Sequence, residues 1–188
     1  MNARSLSVAR LGLFAAVTLV LGYLESTIAL PVSIPGVKIG LANVAVLIAL
    51  YLMGPRWAAA IMGLKVCVIS LFVGAPSMML YSLAGSVLAY LAMLVCWKTD
   101  ALGIVAASVA AALMHNAGQL LMAFALMQTP AIFINAPVMA AAACIMGALT
   151  GSVALGVIEA LGTAKAARGR ALACGATAKR RPRAGKGA

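Results

Sequence analysis

Long apolar runs separated by short polar gaps fill the chain from about residue 11 to residue 160. A helix that crosses the hydrocarbon core of a bilayer, which is about 30 Å thick, needs about 20 mostly apolar residues. Six runs approach or exceed that length, and none shows the alternation of apolar and polar residues that a membrane β-strand requires. The pattern therefore predicts an all-α, polytopic integral membrane protein with six transmembrane helices, at approximately 10–30, 39–53, 57–74, 78–97, 101–128 and 136–160.

The composition supports this interpretation. Hydrophobic residues make up 65% of the chain and charged residues 9%, whereas a soluble domain is about 45–50% apolar and about 25% charged. One membrane domain, residues 1–161, takes up most of the length, which leaves no room for a soluble catalytic domain. The second run is short, and the fifth is long enough to be tilted or broken.

The basic residues are distributed unevenly over the polar gaps. The chain holds 14 Lys and Arg and three Asp and Glu, a net charge of +11. If six helices cross the membrane, twelve of those 14 lie on one side, Lys38 lies on the other, and Lys65 lies inside the third run. The positive-inside rule then predicts a multi-pass cell-membrane protein with both termini in the cytoplasm. Cleavage of the first run as a signal peptide would leave an odd number of helices and destroy this asymmetry.

Residues 162–188 differ from the rest of the chain. They are rich in Gly, Ala and basic residues and lack an apolar face, a composition that predicts a disordered cytoplasmic tail. The run from Lys179 to Arg183 suits contact with anionic lipid headgroups. Nucleic-acid binding is not expected, because no aromatic residue lies among the basic ones.

Two gaps on the predicted outer side contain helix-breaking prolines. The first is residues 30–38, with Pro31 and Pro35, and the second is bracketed by Pro130 and Pro137. Because proline prevents simple continuation of a helix, both loops are expected to be stiff. Such loops suit a lid over an outward-facing site, although plain connectors remain the alternative.

Small residues recur every four positions in two runs. Gly12 and Ala16 form such a pair in the first run, and Ala143, Gly147 and Gly151 form a row in the sixth. Small-residue rows allow helix backbones to approach closely in lipid. The row in the sixth run is expected to pack inside the protein, whereas the pair in the first run could instead contact another membrane subunit.

Polar side chains within the membrane are costly unless they pair or face a cavity, so each is a functional candidate. His115 and Gln119 share one helix face, with Asn116 beside them. That turn is expected either to bind a polar ligand or to hold neighbouring helices together. The candidate substrate-binding residues are Glu25, Lys38, Asn43, Lys65, Tyr81, His115, Asn116 and Gln119.

Two candidates carry opposite charges within the membrane. Glu25 and Lys65 would cost less buried as a pair than alone, and the alternative is that one of them meets a charged group of a substrate. Lys38 lies beside glycines at a predicted helix start, where it could bind a carboxylate or phosphate or remain in solvent. No metal site is expected, because the single His lacks a nearby Cys or carboxylate in the sequence.

The motifs of several enzyme classes are missing. No P-loop sequence is present, so the chain is not expected to hydrolyse ATP itself. The acidic residues are Glu25, Asp100 and Glu159, which form no pair that could hold Mg²⁺ for prenyl or phosphoryl transfer. Catalysis by this chain alone, and a bound cofactor, are therefore not expected.

Four segments together resemble the Gx transporter family, whose members often carry the label heptaprenyl diphosphate synthase component I. The segments are Gly22–Ser26, Ile34–Asn43, Gly74–Gly85 and His115–Gln119, and the resemblance covers about residues 6–160. That family is similar to the substrate-binding S components of energy-coupling factor (ECF) transporters. The resemblance implies a six-helix bundle that captures a vitamin-like nutrient, while a separate transmembrane subunit and ATPases drive its release.

The resemblance also assigns roles to particular residues. Gly12 and Ala16 resemble the first-helix A-x-x-x-A motif through which S components dock, with Gly in place of the first Ala. Lys65 stands where an arginine is expected in the family, so a bidentate anion contact is not expected there. The synthase label fits poorly, since soluble prenyl synthases use aspartate-rich motifs and this chain has one aspartate.

The sequence thus favours an S-component-like subunit that binds a small molecule and works with ECF partners. Two other hypotheses stay open. One is a membrane accessory subunit of a prenyl diphosphate synthase, and the other is a stand-alone facilitator that needs no ATPase.

Overall fold

A computed structural model describes residues 3–27, 41–73, 76–100 and 102–161. The regular structure of these residues is helical. A short 3-10 helix, Pro130–Asn135, precedes the last of the six α-helices, which are α1 (Ala3–Thr27), α2 (Leu41–Met53), α3 (Pro55–Val73), α4 (Pro76–Thr99), α5 (Ile104–Met127) and α6 (Ala136–Ala160). The all-α prediction is confirmed, and each predicted run corresponds to one helix. The tail 162–188 and the loop 30–38 lie outside the described residues.

Among the described residues, three helical stretches are long and apolar enough to cross a membrane: Met79–Thr99, Ile104–Met127 and Pro130–Ala160. Within the described residues, Leu11–Leu24 and Ala42–Met53 are shorter apolar helices. With a rise of about 1.5 Å per residue, α2 is only about 20 Å long. Membrane crossing by α1, α2 and α3 therefore stays a prediction. The long fifth run forms a single continuous helix.

A single glycine joins α2 to α3. Gly54 has φ +90°, a left-handed conformation that glycine adopts without strain from a Cβ. Its N–H donates to the Leu50 carbonyl at the end of α2, and its own carbonyl accepts the N–H of Ala58 in α3. Pro55 follows as the first residue of α3, where its missing N–H removes no helical hydrogen bond. The two helices are therefore joined by a tight turn.

Helix α2 lies in the interior of the bundle. From Ala42 to Leu50 every residue except Asn43 is buried, and α2 packs against α1, α3, α4 and α6. Its side chains share one hydrophobic core with Ile61 of α3, Met93 of α4 and Ile158 of α6. Helix α2 thus connects the first three helices to the last three.

Glycines bring α4, α5 and α6 into close backbone contact. A Cβ on Gly118 of α5 would lie 2.6 Å from the carbonyl oxygen of Ala84 in α4, and one on Gly147 of α6 would lie 2.7 Å from the Cα of Val109 in α5. A Cβ on Gly151 would lie 2.8 Å from the Cβ of Ser108. The predicted internal packing of the small-residue row in α6 is confirmed.

The outer faces of the helices are apolar. Large exposed side chains include Leu13 of α1, Val95 of α4, Leu121 of α5 and Ile145 of α6. In water such surfaces would mark interaction sites, whereas in a bilayer they are the faces that lipid covers. The exposed apolar surface thus agrees with a location in a membrane.

The connection between α5 and α6 is ordered by local contacts. Gln128 ends α5 in the left-handed conformation, with its N–H donating to the Phe124 carbonyl. The Phe124 ring also packs against the ring of Phe133, with the centroids 5.4 Å apart. Pro137 lies in the first turn of α6 rather than in the loop. The prediction of a shaped connection is consistent with these contacts.

Candidate functional site

A buried lysine and an asparagine connect α3 to α2. The Lys65 side chain is 6% exposed, and its Nζ donates a hydrogen bond to Asn43 Oδ1 at 2.8 Å. Both residues lie about 15 Å along their helices from the tight turn at Gly54. A lysine ammonium group buried inside the bundle is stabilised by such a charge-assisted hydrogen bond. The structure thus brings together two of the predicted site residues from separate runs.

The three predicted site residues of α5 are all buried. His115, Asn116 and Gln119 lie on the side of α5 that packs against α4 and α6. A Cβ on Gly85 of α4 would lie 2.9 Å from His115 Nδ1 and Cε1, so the imidazole sits directly over the α4 backbone. The absence of a side chain at Gly85 provides the space for this ring.

Asn116 contributes to the packing of α5 against α6. Its Nδ2 donates to the backbone carbonyl of Met139 at 2.9 Å, within a buried environment. The sequence left open whether this turn binds a ligand or holds neighbouring helices, and this amide does hold a neighbouring helix. Of the three polar residues in this turn, Asn116 is thus the one that the structure shows holding α6.

Gln119 differs from Asn116 in its surroundings. The side chain is 3% exposed, and neither Nε2 nor Oε1 has a hydrogen-bond partner among the described residues. Ser86 Oγ of α4 is likewise buried and without such a partner. Ser86 was missed by the sequence reasoning. Its spacing of four from the buried Ser82, across Gly85, is the signal that could have identified a polar face on α4.

Four of the buried polar side chains lie at similar distances along their helices. Measured along their helices from the predicted cytoplasmic ends, Lys65, Ser86, His115 and Gln119 lie about 15–22 Å inward. If all of these helices cross the membrane as predicted, this range corresponds to the middle of a hydrocarbon core about 30 Å thick. We call this set, together with Asn43, the polar layer.

The remaining predicted site residues are half-buried, exposed or outside the described residues. Tyr81 is half-buried in the first turns of α4. Lys38 and the side chain of Glu25 lie outside the described residues, so the predicted pairing of Glu25 with Lys65 stays a prediction. Gly12 and Ala16 are exposed on α1, and a Cβ on Gly12 would meet nothing within 4 Å.

The cysteines and acidic residues form no metal centre in the described part of the chain. No group of three His, Cys, Asp or Glu side chains there could hold a metal ion. Cys96 is buried, whereas Cys67 and Cys144 are exposed on helix surfaces. Without a C-x-x-C pair, the sequence predicts that the cysteines are small buried residues. That prediction is wrong for Cys67 and Cys144, because their helix faces point outward from the bundle.

An apolar groove of about 420 Å³ runs along the outside of the α4–α5 contact. It contains none of the polar layer, although it includes Gly118 at the helix crossing. Its lining residues are Leu83, Ala84, Val87, Leu88, Gly118, Leu121, Met122 and Ala125. A surface without polar groups suits lipid chains rather than a polar ligand.

Comparison with known proteins supports the resemblance seen in the sequence. No curated protein and no solved structure gives a significant match to the chain. The profile of one protein family, described as heptaprenyl diphosphate synthase component I, matches residues 14–157. This stretch runs from α1 to the end of α6, includes the polar layer and excludes the basic tail. Since the match covers most of the 188 residues, the chain belongs to the heptaprenyl diphosphate synthase component I family.

Proposed function

We propose that this protein is a membrane substrate-binding subunit, similar to an ECF S component, for uptake of a small nutrient or vitamin-like molecule. The observation that carries the proposal is the polar layer. Its groups come from four helices and would lie at mid-membrane depth if all six helices cross, and Gln119 presents both a buried donor and a buried acceptor. Burying the Gln119 amide without a hydrogen-bond partner is costly, and a bound polar molecule would remove that cost.

The proposal assigns ATP hydrolysis to separate proteins. The chain contains no P-loop, so an ECF transmembrane subunit and ATPases would supply the energy. The exposed strip of α1 around Gly12 and Ala16 is open to a partner helix, and small residues allow such a helix to approach closely. The basic tail would rest on anionic lipid of the cytoplasmic leaflet, and the chain itself would perform no catalysis.

The test is identification of small molecules that stay bound during purification. We expect native mass spectrometry of the protein in lipid nanodiscs to show one stoichiometric ligand. The double variant His115→Ala/Asn116→Ala should lose it and still fold. Gly156→Ala is the matched control, because a Cβ there meets nothing within 4 Å. Full ligand occupancy in the double variant would disprove the site assignment.

A second candidate is favoured by the family description. A component of heptaprenyl diphosphate synthase would anchor or assist a soluble synthase subunit at the membrane. The same purification separates the two functions. A co-purifying synthase whose activity depends on this chain, with no small ligand bound, would support the accessory role and contradict the transport role.

A further inference from the structure

We propose that Gln119, which adjoins the crossing of α4 and α5, pairs with a neutral ligand edge that carries a hydrogen-bond donor beside an acceptor. Lactams, imides and primary amides have such edges. The inference rests on the proposed binding function and specifies the chemical class of its ligand. It is carried by Gln119 and by Ser86, a residue that the sequence did not single out.

Gln119 is placed where a specific pairing is possible. Both of its amide atoms are buried without a hydrogen-bond partner among the described residues. Its neighbour Gly118 is in backbone contact with Ala84 and Gly85. The backbone from which the Gln119 side chain extends is therefore held close to α4. A polar group held rigidly and shielded from water is the kind that distinguishes strongly between ligands.

The chemistry of an amide determines which ligands fit. A glutamine amide presents a donor and an acceptor in one plane, and can therefore form two parallel hydrogen bonds with an edge of the opposite pattern. Glutamine pairs with the adenine edge in this way. An ionised carboxylate offers acceptors alone, so one of its oxygens would face Gln119 Oε1 without a hydrogen between them. Gln119 thus favours a neutral edge over an ionised carboxylate.

Ser86 supplies a second polar group to the same crossing. It follows Gly85, which contacts both His115 and Gly118, and its buried Oγ lacks a partner among the described residues. A hydroxyl can donate or accept, so Ser86 suits a carbonyl or N–H elsewhere on the same ligand. Asn116 provides the contrast, because its amide already donates to Met139.

The experiment identifies the compound extracted from the wild-type protein and measures its occupancy in Gln119→Met, which keeps a similar volume without the amide. We expect the compound to contain an unsubstituted lactam, imide or primary amide edge. Occupancy in Gln119→Met should fall at least about tenfold, because the pairing amide is missing. Ser86→Ala should lower occupancy less, and it keeps the test usable if Gln119→Met does not fold. Gly156→Ala should retain full occupancy.

The outcomes separate this inference from the proposed function. A stoichiometric compound without such an edge overturns the inference and leaves the binding function standing. Full occupancy in Gln119→Met together with a lower melting temperature would mean that Gln119 serves the fold through a buried water, which also overturns it. Wild-type protein without any bound small molecule overturns both.

Discussion

At the scale of single residues, the contact that most needs an explanation is the one between Lys65 and Asn43. A lysine within a membrane bundle is costly, and the structure offsets part of that cost with an amide oxygen 2.8 Å from Nζ. Asn43 is itself half-buried in the first turn of α2, beside the buried Ala42 and the buried stretch from Val44 to Leu50. The pair therefore joins the N-terminal part of α2 to α3 and sets the lysine charge against an amide oxygen.

Removal of the amide should expose the cost of that charge. We expect Asn43→Ala to lower the free energy of unfolding by about 1.5–3 kcal/mol, since the hydrogen bond involves a charged group. In the background of Lys65→Met, which carries no charge, the same substitution should cost much less. Unfolding in mixed detergent micelles gives the four free energies of this double-mutant cycle. Additive effects of the two substitutions would show that the hydrogen bond does not contribute to stability.

At the scale of helices, the packing of α4, α5 and α6 depends on glycines. The contacts at Gly118 and Gly147 leave no space for a methyl group, because the nearest atoms belong to the backbones of Ala84 and Val109. Gly156 also lies on α6, but a Cβ there would meet nothing within 4 Å. The chain therefore offers a matched comparison between packed and open glycines.

We expect Gly118→Ala and Gly147→Ala each to destabilise the protein by about 1–3 kcal/mol, because the helices must separate to admit the methyl group. Gly156→Ala should be neutral or stabilising by up to about 1 kcal/mol, the difference in helix propensity. Thermal unfolding in detergent measures all three. Equal effects at Gly147 and Gly156 would contradict the close packing of α5 against α6.

Much at this scale could be predicted from the sequence, and the limits have physical causes. Apolar runs located six helices, since the solvent imposes their length and composition, and the small-residue row located the packing face of α6. The crossing at Gly85 and Gly118 was not predicted, because a glycine reveals no partner helix by itself. The bond from Asn116 to Met139 joins residues 23 apart in sequence, and no local pattern encodes it.

The exposed strip of α1 allows a comparison between two open glycines, Gly12 and Gly156. If Gly12 and Ala16 contact an ECF transmembrane subunit, Gly12→Leu should abolish co-purification with that subunit by blocking helix approach. It should leave the melting temperature of the isolated chain unchanged, because the position is open. Gly156→Leu adds the same side chain to an open position on α6 and should retain the partner. Retention of the partner in Gly12→Leu would move the docking surface away from this strip.

At the scale of the whole molecule, the members of the polar layer are divided between two groups of helices. Lys65 and Asn43 belong to α2 and α3, and the remaining members belong to α4 and α5. The interior helix α2 connects these groups by packing against α1, α3, α4 and α6. A ligand held by both groups would bridge helices from the two halves of the chain, which suits a protein that must close around a substrate and later release it.

The orientation of this arrangement in the membrane decides which side the site serves. The positive-inside rule places the α4–α5 connection in the cytoplasm and the α5–α6 connection outside. Thr99 and Thr129 are exposed at these two connections, so Thr99→Cys and Thr129→Cys in a background without the native cysteines form a matched pair. We expect a membrane-impermeant maleimide to label intact cells at position 129 and to label position 99 only after permeabilisation. The reverse pattern would place both termini outside and turn the predicted outward-facing site toward the cytoplasm. Labelling of both positions in intact cells would show that α5 does not cross the membrane.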